Sequence, residues 1–143
     1  MVTLVIDTNI LVFASLSCND FKPEAVELLW NIHNVCHSIA VDEKCKIVEQ
    51  EYKKYMRNNQ MLITWWTHMR LKGGIKYRSG QGIQIGNLKE LDNCFACVAI
   101  RTPDRILITD NERDFNGEIK KKLARKGVKI LCLHEAHKYI CRN

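Results

Sequence analysis

The sequence predicts an α/β fold in which a parallel sheet carries helices on both faces. Short apolar, β-branched segments alternate along the chain with longer segments whose apolar residues recur at helical spacing, which is the order of βαβ units. Two of the apolar segments end on acidic and polar residues, as buried strands do at the ligand-binding edge of open parallel sheets. We expect one domain over residues 1–143, because this length is typical of a single domain.

The elements are bounded by their apolar patterns and their turn residues. Pro23 and Glu24 suit the first turn of a helix, and Gly127 is typical of the residue that follows one. Five of the seven glycines lie within residues 73–86, which predicts a long loop or a small hairpin there. The predicted strands cover residues 2–7, 35–41, 105–109 and 128–133, and the predicted helices cover a segment from residue 24 and residues 43–56, 61–71, 92–100, 116–126 and 134–142.

Composition narrows the classes of protein. Lysine and arginine total 22 against 16 acidic residues, and the formal charge of +6 favours a polyanionic partner such as nucleic acid. The cysteines number seven, and most lie inside apolar patterns, which favours reduced thiols and a cytoplasmic location over a disulfide scaffold. No apolar run approaches the length of a transmembrane helix, so we expect no membrane association.

Acidic residues recur near the predicted carboxyl edge of the sheet. Taken singly, each of these acidic residues can be explained as a helix cap, a turn residue or a solvated charge. Clustered carboxylates repel one another unless a cation joins them, and hard cations such as Mg²⁺ or Mn²⁺ select oxygen ligands. The candidates are Asp7 after the first strand, Glu49 and Glu51 after the second, Asp92 before the third, and Asp110 and Asp114 after it.

Four segments in this order, VIDTNILV, VEQEYKKYM, LDNCFACVAI and ILITDNERDF, resemble the signature of PIN-domain nucleases over nearly the whole chain. The resemblance implies a three-layer, Rossmann-like sheet and metal-dependent hydrolysis of RNA phosphodiester bonds. It also implies the toxin half of a toxin–antitoxin pair, with an antitoxin protein as a partner and a homodimer as the assembly.

The resemblance also assigns roles to single residues. Asp7 matches the first acid of the signature and Asp92 the third. Thr8 and Asn9 match the polar pair that supports the first acid, and Thr109 matches the threonine at the end of the later strand.

Two acidic positions of the signature stay open. Glu51, which precedes Tyr52, fits the second acid best, and Glu49 lies about 200° away around the helix, so both cannot face one site. At the fourth position Asn111 stands where many PIN domains have aspartate. Asp110 and Asp114 are both candidates for this role, with Asn111 as a neutral contact.

The mechanism that we expect places one or two Mg²⁺ or Mn²⁺ ions on Asp7, Glu51 and Asp92, with Asp110 as a further ligand. The metal activates a water that attacks the phosphate, and the acid after the third predicted strand orients that water or a second metal. Lys76, Tyr77 and Arg78 combine charge with an aromatic ring, which suits a phosphate backbone and a stacked base. The basic helix at residues 120–126 is a second candidate phosphate track.

Three other functions are alternatives to the nuclease hypothesis. One is a PIN-like domain that binds RNA or regulates a partner without cleaving, because its fourth acid is displaced. Another is a small nucleotide-binding module, although the first strand ends in Asp7-Thr8-Asn9 where a phosphate-cradling loop needs glycines. The third is a purely regulatory domain that binds a partner protein.

Overall fold

Five parallel strands form one sheet in the computed structural model, which describes residues 1–16, 19–44 and 46–141. The strands are β1 (Thr3–Ile6), β2 (Ser38–Asp42), β3 (Ile75–Arg78), β4 (Ile106–Ile108) and β5 (Lys129–Leu131). Their spatial order is β3–β2–β1–β4–β5. The chain therefore starts in the middle of the sheet, builds one side first and then crosses over to build the other.

Seven helices connect or follow these strands in the described residues. The crossover from β1 to β2 and the crossover from β3 to β4 run in opposite directions along the sheet, so right-handed connections place their helices on opposite faces. This arrangement confirms the predicted α/β class with a three-layer, Rossmann-like architecture. The helices are α1 (Thr8–Phe13), α2 (Pro23–Asn34), α3 (Ile47–Met56), α4 (Gln60–Leu71), α5 (Glu90–Ile100), α6 (Gly117–Arg125) and α7 (Leu133–Cys141).

The central strands are buried on both faces, as the apolar runs of the sequence predict. Leu4, Val5 and Ile6 of β1 are fully buried. Aromatic side chains extend this core between helices: Trp65 of α4 is fully buried, and its indole Nε1 donates a hydrogen bond of 2.7 Å to the Leu29 carbonyl of α2. Trp66 is buried too, so neither tryptophan presents a ring for base stacking.

The glycine-rich segment contains a strand where the sequence predicted a loop or a small hairpin. β3 pairs in parallel with β2, from Ile39 opposite Ile75 to Asp42 opposite Arg78. It is an edge strand, and most of its residues are exposed or half-buried. A short edge strand of this kind lacks the apolar run by which the buried strands are recognised.

Two helices also differ from the sequence prediction, one in its existence and one in its starting residue. α1 begins directly after β1, in a segment for which no helix was predicted. α3 begins at Ile47 and not at Glu43, because the Asp42 carboxylate accepts hydrogen bonds of 2.8 Å from the backbone N–H groups of Ile47 and Val48. Residue 45 of that predicted helix and residue 142 at the end of the last one lie outside the described residues.

Among the described residues, no helix is long and apolar enough to cross a membrane.

Candidate active site

Asp7 lies at the point where the strand order of the sheet reverses. Its backbone N–H donates a hydrogen bond of 2.9 Å to the Ile108 carbonyl, so the residue directly follows β1 beside the end of β4. Its side chain is buried, and Oδ2 accepts a hydrogen bond of 2.6 Å from the Thr109 hydroxyl. The crevice at such a switch point is the usual ligand site of open parallel sheets.

The surroundings of Asp7 disfavour its negative charge. Burial raises the pKa of this carboxyl, and the Thr109 hydroxyl and the nearby N–H groups of Thr8 and Asn9 offset only part of that rise. The carboxylate makes no hydrogen bond that caps α1. Asp7 occupies the N-cap position of α1, with the Thr109 hydroxyl as a hydrogen-bond partner of its carboxylate.

Asp92 and Asp114 form a second part of the site. Asp92 is in the first turn of α5, and its pKa rises to about 7 because of burial, the charge of Asp7 and a hydrogen bond with Asp114. The pKa of Asp114 is lowered by its hydrogen bond from Asn111 and by its bond with Asp92. Below about pH 7 the proton of this pair therefore resides mainly on Asp92.

Asn111 holds Asp114 in place. Its amide Nδ2 donates a hydrogen bond of 2.9 Å to Asp114 Oδ2, and its Oδ1 accepts one of 3.2 Å from the Asp114 backbone N–H. The backbone N–H of Asn111 donates to the Thr109 hydroxyl at 3.0 Å. A chain of contacts thus links Asp7 through Thr109 and Asn111 to Asp114.

Asp110 is directed toward another part of the molecule. Its Oδ1 accepts a hydrogen bond of 2.6 Å from the Leu133 N–H at the start of α7, and its Oδ2 lies 3.6 Å from the Lys22 ammonium. Of the two acids expected after the third predicted strand, the structure joins Asp114 to the acidic cluster and gives Asp110 a capping position. The cluster of Asp7, Asp92 and Asp114 is called the acidic cluster from here on.

The two glutamates of α3 face different surroundings. Glu51 Oε2 lies 3.5 Å from the Lys54 ammonium, and in the described residues no hydrogen bond or ion pair joins it to the acidic cluster. Glu49 is buried and accepts a hydrogen bond of 2.9 Å from the Tyr77 hydroxyl. Burial raises its pKa, but this bond together with Lys53 and Lys46 outweighs burial and lowers it.

Tyr52 brings α3 close to Asp7. Its hydroxyl donates a hydrogen bond to the carbonyl of Ile6, the residue before Asp7. Burial and then the charge of Asp7 raise the pKa of this phenol well above its usual value. Glu51 therefore lies one residue from a side chain that contacts the site, although its own carboxylate pairs with lysine. Sequence reasoning treated Tyr52 only as an apolar position.

The supporting pair after Asp7 occupies the first turn of α1. Thr8 is buried, and its hydroxyl contributes to lowering the pKa of Asp7. The Asn9 Oδ1 atom is buried and has no hydrogen-bond partner among the described residues. An unpaired buried acceptor next to an acidic cluster is unusual, because such atoms normally find a donor or a cation.

The three residues expected to contact RNA lie on β3, at the far edge of the sheet. Two strand spacings, about 10 Å, separate β3 from β1 and Asp7. The Tyr77 hydroxyl is bound to Glu49, and Arg78 donates a hydrogen bond of 2.8 Å to the Tyr77 carbonyl. Lys76 is exposed. The structure places this basic patch beside the site, without a contact to the acidic cluster.

The donor set fits a hard divalent cation in its chemistry. The acidic cluster supplies only oxygen atoms, and the Asn9 Oδ1 atom, two positions along the chain from Asp7, has no hydrogen-bond partner among the described residues. In the described ranges, however, no three histidine, cysteine, aspartate or glutamate side chains stand close enough together to hold a metal ion by themselves. Mg²⁺ commonly takes one or two protein carboxylates and completes its shell with water and phosphate, and the residues present match that mode of binding.

Comparisons with protein-family models, with curated proteins and with solved structures found no match to this chain.

Proposed function

We propose that this protein is a Mg²⁺- or Mn²⁺-dependent endoribonuclease that hydrolyses RNA phosphodiester bonds, of the PIN type that its motifs resemble. The observation that carries the proposal is the electrostatic coupling of Asp7, Asp92 and Asp114 at the switch point of a parallel sheet. The pKa of Asp92 is raised by burial, by the charge of Asp7 and by its hydrogen bond with Asp114, and a divalent cation would favour its carboxylate form. The net charge of +6 supports a polyanionic substrate.

In the proposed reaction each residue of the acidic cluster has a separate task. Asp7 and Asp92 would hold the cation, and Thr109 fixes the orientation of the Asp7 carboxylate. Asp92 would bind a cation as the carboxylate, its proton passing to solvent, and Asp114 accepts the hydrogen bond of Asn111 at the edge of the site. A bound divalent cation supplies Lewis-acid chemistry, because it activates water and neutralises charge that develops on the phosphate.

The direct test is cleavage of labelled single-stranded and structured RNAs in the presence of Mn²⁺ or of chelator. We expect cleavage by the native chain with Mn²⁺ only, and losses of at least about 100-fold in Asp7→Asn and Asp92→Asn, as when a group that stabilises the transition state is removed. Glu90→Gln is the matched control, because Glu90 is an exposed acid in the same first turn as Asp92. Equal cleavage by all four proteins would reject the proposal.

A second candidate is an RNA-binding or regulatory domain of the same fold that cleaves weakly or not at all. Two observations favour it: Asn111 occupies a position at which many PIN domains carry an acid, and Asp110 is engaged at the start of α7. In this case the native chain and Asp92→Asn bind RNA equally well, and neither cleaves it with Mn²⁺.

The assembly and its setting are proposed from the resemblance alone. By analogy with toxin-like PIN domains, we propose a cytoplasmic homodimer that an antitoxin protein binds. Light scattering after size-exclusion chromatography measures the mass of the assembly. A monomeric mass at micromolar concentration would reject the dimer and leave the proposed chemistry untouched.

A further inference from the structure

A small cavity opens directly beside the acidic cluster. Its volume is about 120 Å³, which corresponds to about four water molecules of liquid volume. Its walls are the segment that leads into α5 and the segment that leads into α6. Asp114 lines it as well, so the cavity and the acidic cluster share one carboxylate. The lining residues are Asn87, Leu88, Lys89, Arg113, Asp114 and Asn116.

Two cationic side chains stand in the cavity walls, one on each segment. Lys89 is exposed and is in no ion pair with a described residue. Its positive charge offsets part of the rise in the pKa of Asp92 and contributes to the lowered pKa of Asp114. Arg113 has Nε 3.7 Å from Asp114 Oδ1, and its side chain is 88% exposed. Both cations therefore keep hydrogen-bonding capacity that points to an anionic ligand.

We propose that Lys89 and Arg113 bind the phosphodiester that neighbours the scissile one in a single RNA strand. This inference rests on the proposed nuclease function and identifies positioning residues for its substrate. A strand with one phosphate at the acidic cluster must place the next one nearby, and the two cations are adjacent to Asp114. Arg113 presents a planar fork of donors that suits phosphate, and Lys89 adds a mobile point charge.

The two cations also solve an electrostatic problem of the site. An acidic cluster repels a polyanion, and this repulsion is strongest where the strand must approach most closely. Cations on the flank of the cluster offset that repulsion and guide the backbone past it. The exposed lysines of α6, Lys120 and Lys121, are not among the described residues that line this cavity.

The experiment measures binding of a fluorescent single-stranded RNA by anisotropy in chelator, which withholds the divalent cation and so prevents metal-dependent cleavage. Lys89→Ala and Arg113→Ala are expected to weaken binding by about threefold to fivefold each, as partly exposed charge pairs do. Each should reduce the slope of log K against log salt by about 0.7, the loss of one phosphate contact on a single strand. Lys89→Arg keeps the charge and should restore native affinity and slope.

Lys138→Ala is the matched control, because Lys138 is an exposed lysine in the last turn of α7. If Lys138→Ala weakens binding as much as Lys89→Ala, the contact is general surface charge and the inference is overturned. Unchanged binding in both Lys89→Ala and Arg113→Ala also overturns it. Binding that depends on Lys89 and Arg113 in a chain that fails to cleave RNA supports an RNA phosphate contact at these two residues, and it rejects the nuclease function and with it the assignment to a phosphate beside a scissile one.

If the chain cleaves RNA, the same variants give a kinetic test. Positioning residues for a neighbouring phosphate should raise KM and leave kcat nearly unchanged, because their contact is present in both the bound substrate and the transition state. A loss confined to kcat would contradict a role in binding the flanking phosphate.

Discussion

The Asp92 carboxyl links the acidic cluster to the pH dependence of folding. Its pKa is about 7 in the folded chain against an ordinary value of 3.8. Between these values the folded state keeps a proton that the unfolded state has lost, so the free energy of unfolding falls as pH rises from about 4 to about 7. Because the group is half-exposed and screened by solvent, we expect a loss on the order of 1–2 kcal/mol.

Urea unfolding in chelator at several pH values checks this expectation. Asp92→Asn removes the charge without changing the shape of the side chain. The variant should therefore be more stable than the native chain above pH 7 by on the order of 1–2 kcal/mol, and the difference should shrink toward pH 4. His37 also has a shifted pKa, lowered by burial, but it is common to both proteins and cancels in their difference. Parallel stability curves would contradict the assignment of the proton to Asp92.

We expect a variant of Asp110 to lose mainly stability and a variant of Asp114 to lose mainly RNA cleavage. Asp110 accepts its hydrogen bond from the Leu133 N–H, so Asp110→Ala should destabilise the chain by about 1–2 kcal/mol, as loss of a helix cap does. It should retain most of any RNA cleavage at a temperature where the variant is folded. Asp114→Asn should reduce cleavage much more while changing stability little. The reverse pattern, measured by urea unfolding and RNA cleavage, would show that Asp110 is the acid of the site.

The choice between these two acids could not be made from the sequence for a physical reason. Both follow the same strand, and each is a good turn residue. What separates them is a partner 23 positions away, because the Leu133 N–H takes the Asp110 carboxylate. By contrast, Asp7 and Thr109 each end a buried apolar run, and their meeting at the sheet edge follows from the parallel topology alone.

At the scale of elements, Asp42 fixes the position of α3. Its carboxylate is buried and accepts the N–H groups of Ile47 and Val48. Through α3 it also sets the position of Tyr52 against Ile6, next to Asp7. The residue that precedes the helix, Lys46, has a φ of 52° and gives no side-chain cap, and sequence reasoning based on adjacent caps placed the start too early.

Asp42→Ala should destabilise the chain by about 2–3 kcal/mol, because it leaves the buried N–H of Val48 and the part-buried N–H of Ile47 without a partner. Asp42→Asn keeps one carbonyl acceptor and should lose about half as much. Urea unfolding measures both, and quenching of tryptophan fluorescence reports whether α4 remains packed. A loss in Asp42→Ala no greater than that of an exposed acid such as Glu43→Ala would contradict the capping role.

At the scale of the whole molecule, the parallel α/β architecture was predictable from the sequence, whereas β3 and the spatial order of the strands were not. β1, β2 and β4 carry apolar runs because both of their faces are covered. β5 is the other edge strand and is partly exposed, but its apolar run was still visible in the sequence. β3 has one free edge, an exposed lysine and tyrosine, and glycines on both sides. β3 is a strand because it pairs with β2, and this pairing cannot be recognised from the local sequence.

Binding of a divalent cation should couple the acidic cluster to the stability of the whole chain. A cation at about 100 times its Kd stabilises the folded state by about 2.7 kcal/mol, which for a chain of this size raises Tm by about 5–10 °C. Since Asp92 holds its proton up to a pKa of about 7, the cation must displace that proton at lower pH. The apparent affinity for Mn²⁺ should therefore fall about tenfold for each pH unit below 7 and level off above it.

Thermal melting with increasing Mn²⁺ at pH 6, 7 and 8 measures this coupling. Asp7→Asn and Asp92→Asn should lose most of the rise in Tm, and Glu90→Gln should keep it, because Glu90 is exposed in the same turn of α5. If Mn²⁺ raises Tm equally at all three pH values, cation binding does not compete with the Asp92 proton, and the ligands lie elsewhere. If Asp92→Asn alone keeps the full rise, Asp7 binds the cation and the raised pKa of Asp92 reflects burial and repulsion rather than a ligand role.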